Sequence, residues 1–131
     1  MAAITPFLMF TGQAEEAMTF YVSLFPGSKM DSIVRYGPER PGAEGTVMQA
    51  AFTLDGRQFR CIDSPPVHAF GFTPSISMFV ECEDAAEVDR LFAALSDGGQ
   101  ALMPVGEYPF SPRYGWVNDR FGVSWQISQK A

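Results

Sequence analysis

The chain has 131 residues, a formal net charge of −6, and 47% hydrophobic and 14% aromatic residues. That apolar content excludes a disordered chain, and the length suffices for one domain burying roughly two thirds of its unfolded surface. The acidic balance, with nine scattered Lys and Arg, excludes a phosphate-neutralising nucleic-acid surface, and no apolar run approaches the roughly 20 residues that span a bilayer. A soluble protein with neither nucleic-acid nor membrane partner is expected. Met1 to Pro6 lacks the basic start and long apolar core of a secretory signal, so a cytoplasmic location is expected. Cys61 and Cys82 form no CxxC pair and read as buried small hydrophobes.

In chain order, Ile4 to Phe10 is a short apolar run ending at Thr11-Gly12 and reads as a strand, with Pro6 near its start or at an edge. From Gln13 to Phe25, Ala14, Ala17, Met18, Tyr21, Leu24 and Phe25 fall at helical spacing. Glu15 and Glu16 sit in the first turn, Thr11 serves as N-cap and Pro26-Gly27 as the stop. Met30 to Tyr36 is extended. Gly37 to Gly45, with Pro38, Glu39, Arg40 and Pro41, is a surface connection, either a plain loop or a lid. Thr46 to Leu54 alternates as a strand, Asp55-Gly56 makes a two-residue hairpin, and Arg57 to Asp63 returns, with Phe59, Cys61 and Asp63 on one face.

After Ser64-Pro65-Pro66 a loop carries His68, Phe70 and Phe72 to Pro74, and the pattern restarts. Ser75 to Cys82 reads as a strand with Ser75, Ser77, Phe79 and Glu81 opposite Ile76, Met78 and Val80. Asp84 and Glu87 then open a helix whose buried stripe is Val88, Leu91, Phe92 and Leu95, ended by Gly98-Gly99. Ala101 to Val105 is extended and Gly106 to Pro112 reads as a second Pro/Gly loop. Tyr114 to Ile127 forms a closing hairpin turning at Asn118, Asp119 and Gly122. On its last strand Val123, Trp125 and Ile127 point one way, and Ser124, Gln126 and Ser128 the other.

The two halves repeat strand, helix and three strands about 70 residues apart. The expected fold is α+β: two βαβββ modules, about 1–64 and 75–131 with a linker at 65–74. They form a curved mixed, mostly antiparallel sheet within a single domain, the helices on one face and the concave face open to a ligand.

This duplication resembles the vicinal oxygen chelate superfamily, which has the glyoxalase, bleomycin resistance and dioxygenase fold. The closer resemblance is to its PhnB-like branch, often labelled 3-demethylubiquinone 3-methyltransferase-like. It is carried by Phe7-Leu8-Met9-Phe10, Gly12 to Ala17, Phe20-Tyr21, Leu24-Phe25-Pro26, Phe52 to Gly56, Phe79 to Cys82, Trp116, and Asp119 to Gln126. The resemblance implies a homodimer. It also places the superfamily's four metal-ligand positions at Pro6, Cys61, Ser75 and Gln126. A hard or borderline ion needs carboxylates or imidazoles at about 2.0–2.5 Å. That set is missing, so neither metal nor other cofactor is expected, a divalent metal being the alternative. A methyl-donor site would be expected on a Gly-rich strand-to-helix turn, which neither helix start offers.

The first functional reading is a metal-free binding module holding a small, flat, partly apolar molecule against Phe10, Phe59, Cys61, Ser75, Ser77, Phe79, Trp116 and Gln126. The second is an enzyme of the same superfamily, of lyase, isomerase, dioxygenase or methyltransferase type, using a degenerate metal site or acid–base chemistry at His68. The third is an interaction protein whose barrel is filled by its own side chains. Cys61 is a candidate nucleophile only if a base or cation adjoins it.

Overall fold

The computed structural model describes residues 2–39 and 42–131. Met1 of the N-terminal stretch, and Arg40 and Pro41 of the Gly37 to Gly45 loop, lie outside the described residues. The chain divides into two compact units, residues 1–69 and 70–131.

The first unit runs β1 (Phe7–Phe10), α1 (Ala14–Leu24), β2 (Lys29–Arg35), β3 (Val47–Leu54) and β4 (Arg57–Asp63), and its four strands form a sheet in the order β1-β4-β3-β2. β1 lies parallel to β4; the other pairings are antiparallel. The helix buries Ala14, Ala17, Met18, Tyr21 and Leu24, one stripe at helical spacing, mainly against β3. Across the sheet, Phe52 of β3 stands directly opposite Phe59 of β4 with their rings stacked at 5.4 Å, and Phe52 also meets Tyr21 of α1 at 6.4 Å. Directly opposed residues share a face, so the face bearing Phe52, Phe59, Cys61 and Asp63 is the one the helix covers.

Thr11 does not cap this helix. The N-cap position is Gln13, which makes no side-chain cap, and the capping group comes from the end of β4. Asp63, 3% exposed, accepts from the Gly12 and Ala14 amides through Oδ1 at 2.8 and 2.9 Å, and from the Val47 amide through Oδ2 at 2.9 Å. One carboxylate thus satisfies helix-start donors and ties β3 to β4.

The second unit runs β5 (Met78–Cys82), α2 (Ala85–Ser96), β6 (Gln100–Tyr108), β7 (Ser111–Asn118) and β8 (Ser124–Gln129), in the sheet order β5-β8-β7-β6. β5 is parallel to β8, as β1 is to β4. The strands therefore form two four-stranded sheets with the same topology. α2 opens as expected: Asp84 accepts from the Glu87 amide at 2.9 Å, and Glu87 returns a bond to the Glu83 amide at 3.0 Å. Val88, Leu91 and Leu95 are fully buried, and α2 packs chiefly on β7 and β8.

Two expectations change. Ser75 is not in a strand: Pro74 and Ser75 form a turn, Ile76 is 76% exposed, and β5 begins at Met78. Gly106 to Pro112 is not a loop but the meeting of β6 and β7, turned by Pro109 and Phe110 alone. Pro104 is tolerated because β6 is an edge strand, and its pairing with β7 carries three register shifts. Among the described residues no helix is long and apolar enough to cross a membrane.

Candidate functional site

In the second unit, Gly115 is the residue of β7 that lies under α2; a Cβ there would meet the Phe92 ring at 2.4 Å. Its neighbours Tyr114 and Trp116 therefore point to the opposite, helix-free face. Trp116 stands opposite Gln126 on β8, and Gln126 stands opposite Phe79 on β5. Alternation then puts Ser124 and Ser128 beside Gln126 on the same face, while Trp125 and Ile127 go under the helix, 2% and 0% exposed.

These side chains form one hydrogen-bonded row. Tyr114 Oη donates to Gln126 Oε1 at 2.6 Å, and Gln126 Nε2 donates to Ser77 Oγ at 3.3 Å. Ser77 Oγ meets Ser124 Oγ at 2.6 Å, and Trp116 Nε1 donates to Ser124 Oγ at 2.8 Å. Burial, with Tyr108 nearby, raises the Tyr114 phenol above its usual range, so it stays protonated and donating at neutral pH. Tyr108 and Phe110 pack edge-on against Tyr114 at 5.5 and 4.8 Å, extending the row as an aromatic strip. Phe79 is 59% exposed. Asn118, two residues beyond Trp116, has a buried Oδ1 without a hydrogen-bond partner among the described residues.

Of the eight lining residues expected from sequence, the second unit gathers Ser77, Phe79, Trp116 and Gln126. Ser75 is apart from that row: its hydroxyl is paired with Thr73 Oγ1 at 2.7 Å in the exposed turn before β5. In the first unit, Phe10 and Cys61 are buried at 3% and 0%, and they lie with Phe59 on the helix-covered face. They are core of that unit, because strand parity fixes which residues travel together but packing of α1 decides which side is covered. Tyr114 and Ser124 were not among the expected site residues; the signal for both was spacing, each lying two positions from an expected one. His68 is exposed, in the segment after β4.

Cys61 has its thiol pushed up to about 12, first by burial and then by the Asp63 carboxylate, which is opposite to what a nucleophile needs. Cys82 is likewise pushed up to about 12, burial again leading. Both thiols should therefore resist Ellman's reagent in the native protein at pH 8 and react only on unfolding. Because the neutral thiol is favoured in the folded state, their contribution to stability is complete below the unfolded pKa near 8.5. It falls as pH rises from there towards 12. Rapid native labelling of either cysteine would contradict this placement.

The four positions at which the resemblance places metal ligands carry no imidazole or carboxylate. Pro6 offers only its carbonyl, which accepts from the Arg60 amide at 2.9 Å. Cys61 is fully buried on the helix-covered face, Ser75 is bound to Thr73, and Gln126 is held by Tyr114 and Ser77. No group of three or more His, Cys, Asp or Glu among the described residues is placed to hold a metal ion. A shallow concavity on the solvent side of α1, lined by Gly12, Glu15, Glu16, Thr19, Phe20 and Ser23, is wide open, and Glu15 is already clamped by Arg35.

Residues 2–128 match the model of the family described as 3-demethylubiquinone-9 3-methyltransferase. A solved structure from Bacillus cereus, described as a candidate 3-demethylubiquinone-9 3-methyltransferase and PhnB protein, is 53% identical. It covers 98% of this chain and 100% of its own, with a TM-score of 0.95. A Pseudomonas aeruginosa structure is 26% identical over 99% of this chain and 98% of its own, with a TM-score of 0.86. A member of the glyoxalase/bleomycin resistance protein/dioxygenase superfamily from Sphaerobacter thermophilus shares the fold at 18% identity. It covers 98% of both chains with a TM-score of 0.54. No curated protein matches the chain.

Proposed function

Because the chain belongs to the 3-demethylubiquinone-9 3-methyltransferase family, whose members include PhnB-like proteins of the glyoxalase and bleomycin resistance fold, we propose that it is a small-molecule-binding protein working without the superfamily metal centre. The observation that carries the reading is the row Tyr114, Gln126, Ser77, Ser124 and Trp116 on a helix-free sheet face, beside the exposed ring of Phe79. Polar side chains linked to one another on a sheet face hold each other in fixed rotamers, which is what a preorganised site requires. A flat, partly apolar molecule lies against Phe79 and Trp116 and meets the polar row at its edge.

The donor chemistry supports the metal-free form. Pro6, Cys61, Ser75 and Gln126 offer neither an imidazole nor a carboxylate, so no reaction step is routed through a metal here. The methyl transfer named in the family's description also lacks its usual structural companion, since residues 11–13 and 83–84 lead into the helices without a Gly-rich phosphate- or nucleoside-binding turn. We further propose that a second copy pairs with the chain. β2 is an edge strand with Met30 and Val34 38% and 49% exposed, the kind of edge that proteins cover.

Elemental analysis and native mass spectrometry of protein purified without chelator test both statements. The expected result is a dimer mass, no stoichiometric metal, and a retained organic mass or a measurable affinity for flat aromatic probes. Shifts in amide and indole resonances should then centre on Ser77, Phe79, Trp116 and Gln126. Stoichiometric zinc, nickel, manganese or iron would overturn the metal-free form and favour an enzyme of the superfamily. Probe shifts that avoid these residues would overturn the site.

A further inference from the structure

The hydrogen-bond count of the polar row restricts what it can hold. Tyr114, Ser77, Ser124 and Trp116 each bring one donor hydrogen and Gln126 brings two, six in all. They make four bonds among themselves: Tyr114 to Gln126, Gln126 to Ser77, Ser77 to Ser124, and Trp116 to Ser124. Two hydrogens are left over, and the number does not change if the Gln126 amide is turned over or the serine hydroxyls rotate, because each bond consumes one hydrogen whichever atom supplies it. Ser124 is 1% exposed, whereas Ser77 and Gln126 are half-buried, so the spare hydrogens stand at the edge of the row, within reach of a ligand. Spare lone pairs are cheap to leave, but a spare donor that a bound ligand covers without accepting from it costs about 1–3 kcal/mol. The buried Oδ1 of Asn118 is an acceptor on the same face.

Charge narrows the class further. The cations of this unit are Arg90, on α2; Arg113, on the helix side and paired with Asp89; Arg120, in the turn and near Asp97; and Lys130, beyond β8 and paired with Glu83. Arg90, Arg113 and Arg120 lie on the helix side or in the turn. Lys130, which also lies in the field of Glu81, is already paired with Glu83, whereas Glu81 follows Phe79 by two residues on β5 and faces the helix-free side. An anionic ligand would find donors but no cation within the row, with a carboxylate nearby.

We infer that the ligand of this face is an uncharged planar molecule presenting a carbonyl-type oxygen, which accepts from the spare hydrogens of Gln126 and the Ser77–Ser124 pair while its ring lies along Phe79. The inference rests on the binding function proposed above and specifies its ligand class.

Three probes on one ring system separate the possibilities: 2-acetylnaphthalene with a neutral acceptor, 2-isopropylnaphthalene with none, and 2-naphthoate with an anionic one. Each is titrated into the full chain while backbone amides, the Gln126 side-chain amide and the Trp116 indole are followed by NMR. The ketone is expected to bind roughly tenfold more tightly than the hydrocarbon, the gain from one or two neutral hydrogen bonds, and to shift the Gln126 amide. Ser77→Ala and Gln126→Leu should each shrink that gap several-fold; Ser77→Ala, the milder change, serves if Gln126→Leu fails to fold. Equal binding of ketone and hydrocarbon at Phe79 would overturn the acceptor requirement and leave the binding function standing. Tightest binding of the naphthoate would overturn the neutral class. If no probe shifts these residues, the binding function and this inference fall together.

Discussion

Asp119→Ala is expected to destabilise the protein by about 4 kcal/mol, a fall of about 10–15 °C in the unfolding midpoint. The carboxylate is 3% exposed and holds three donors. Oδ1 accepts from the Phe121 and Val123 amides at 2.8 and 3.0 Å, and Oδ2 accepts from the Trp125 indole at 2.9 Å. Removing it orphans donors in a buried turn, and bonds to a charged acceptor are worth more than neutral ones. Asp119→Asn separates the roles. Its Oδ1 keeps the two amide bonds, but an amide nitrogen set against the Trp125 N–H is donor against donor, so a loss of about 1–3 kcal/mol remains. Because Asp119 sets the turn between Trp116 and Gln126, probe binding on the helix-free face should weaken in the alanine variant even below its unfolding temperature. Thermal unfolding followed by Trp fluorescence checks the first statement; a midpoint within 3 °C of the parent protein, on the same scale, would contradict it.

The second large effect is Gly99→Ala. A Cβ at Gly99 would lie 2.1 Å from the Asn118 carbonyl oxygen and 2.8 Å from the Asp119 carbonyl carbon. Both are backbone atoms, so no rotamer change relieves the clash, and the chain leaving α2 must move off the hairpin it touches. Overpacking of this kind costs about 1–3 kcal/mol and more where backbone must shift, so about 3 kcal/mol is expected. Gly115→Ala offers the comparison: the three atoms nearest its added Cβ all belong to the Phe92 ring, a side chain that can turn away. Denaturant unfolding should rank Gly99→Ala well below Gly115→Ala, and the reverse order would contradict the backbone contact.

The residues made some of this legible and hid the rest for identifiable reasons. The duplication was readable because α1 and α2 each carry a complete stripe, Ala14 to Leu24 and Val88 to Leu95, and because Asp55-Gly56 and Asp84 with Glu87 are local signals. The polar row was half readable, since alternation along β8 separates Gln126 from Trp125 without any tertiary information. Phe59 and Cys61 were misplaced because parity pairs them with Asp63 but does not say that the helix lies over them. The apolar character of that face was the available clue. The start of β5 was missed because Ser75 and Ser77 continue the alternation through a turn that Pro74 imposes. The cap on α1 had no local signature at all, since Asp63 is 49 residues from the amide it accepts from at Ala14.

That long-range cap gives the two equivalent halves different assembly histories. α2 carries its start signal within four residues, through Asp84 and Glu87, and can nucleate as soon as its own sequence is available. α1 has no such signal; its leading amides find their acceptor only when the last strand of the first unit has docked. Closing so long a segment carries an entropic cost that a local cap avoids. On a ribosome, where the chain emerges from its N-terminus, the acceptor for those leading amides arrives only after Asp63 has left the exit tunnel.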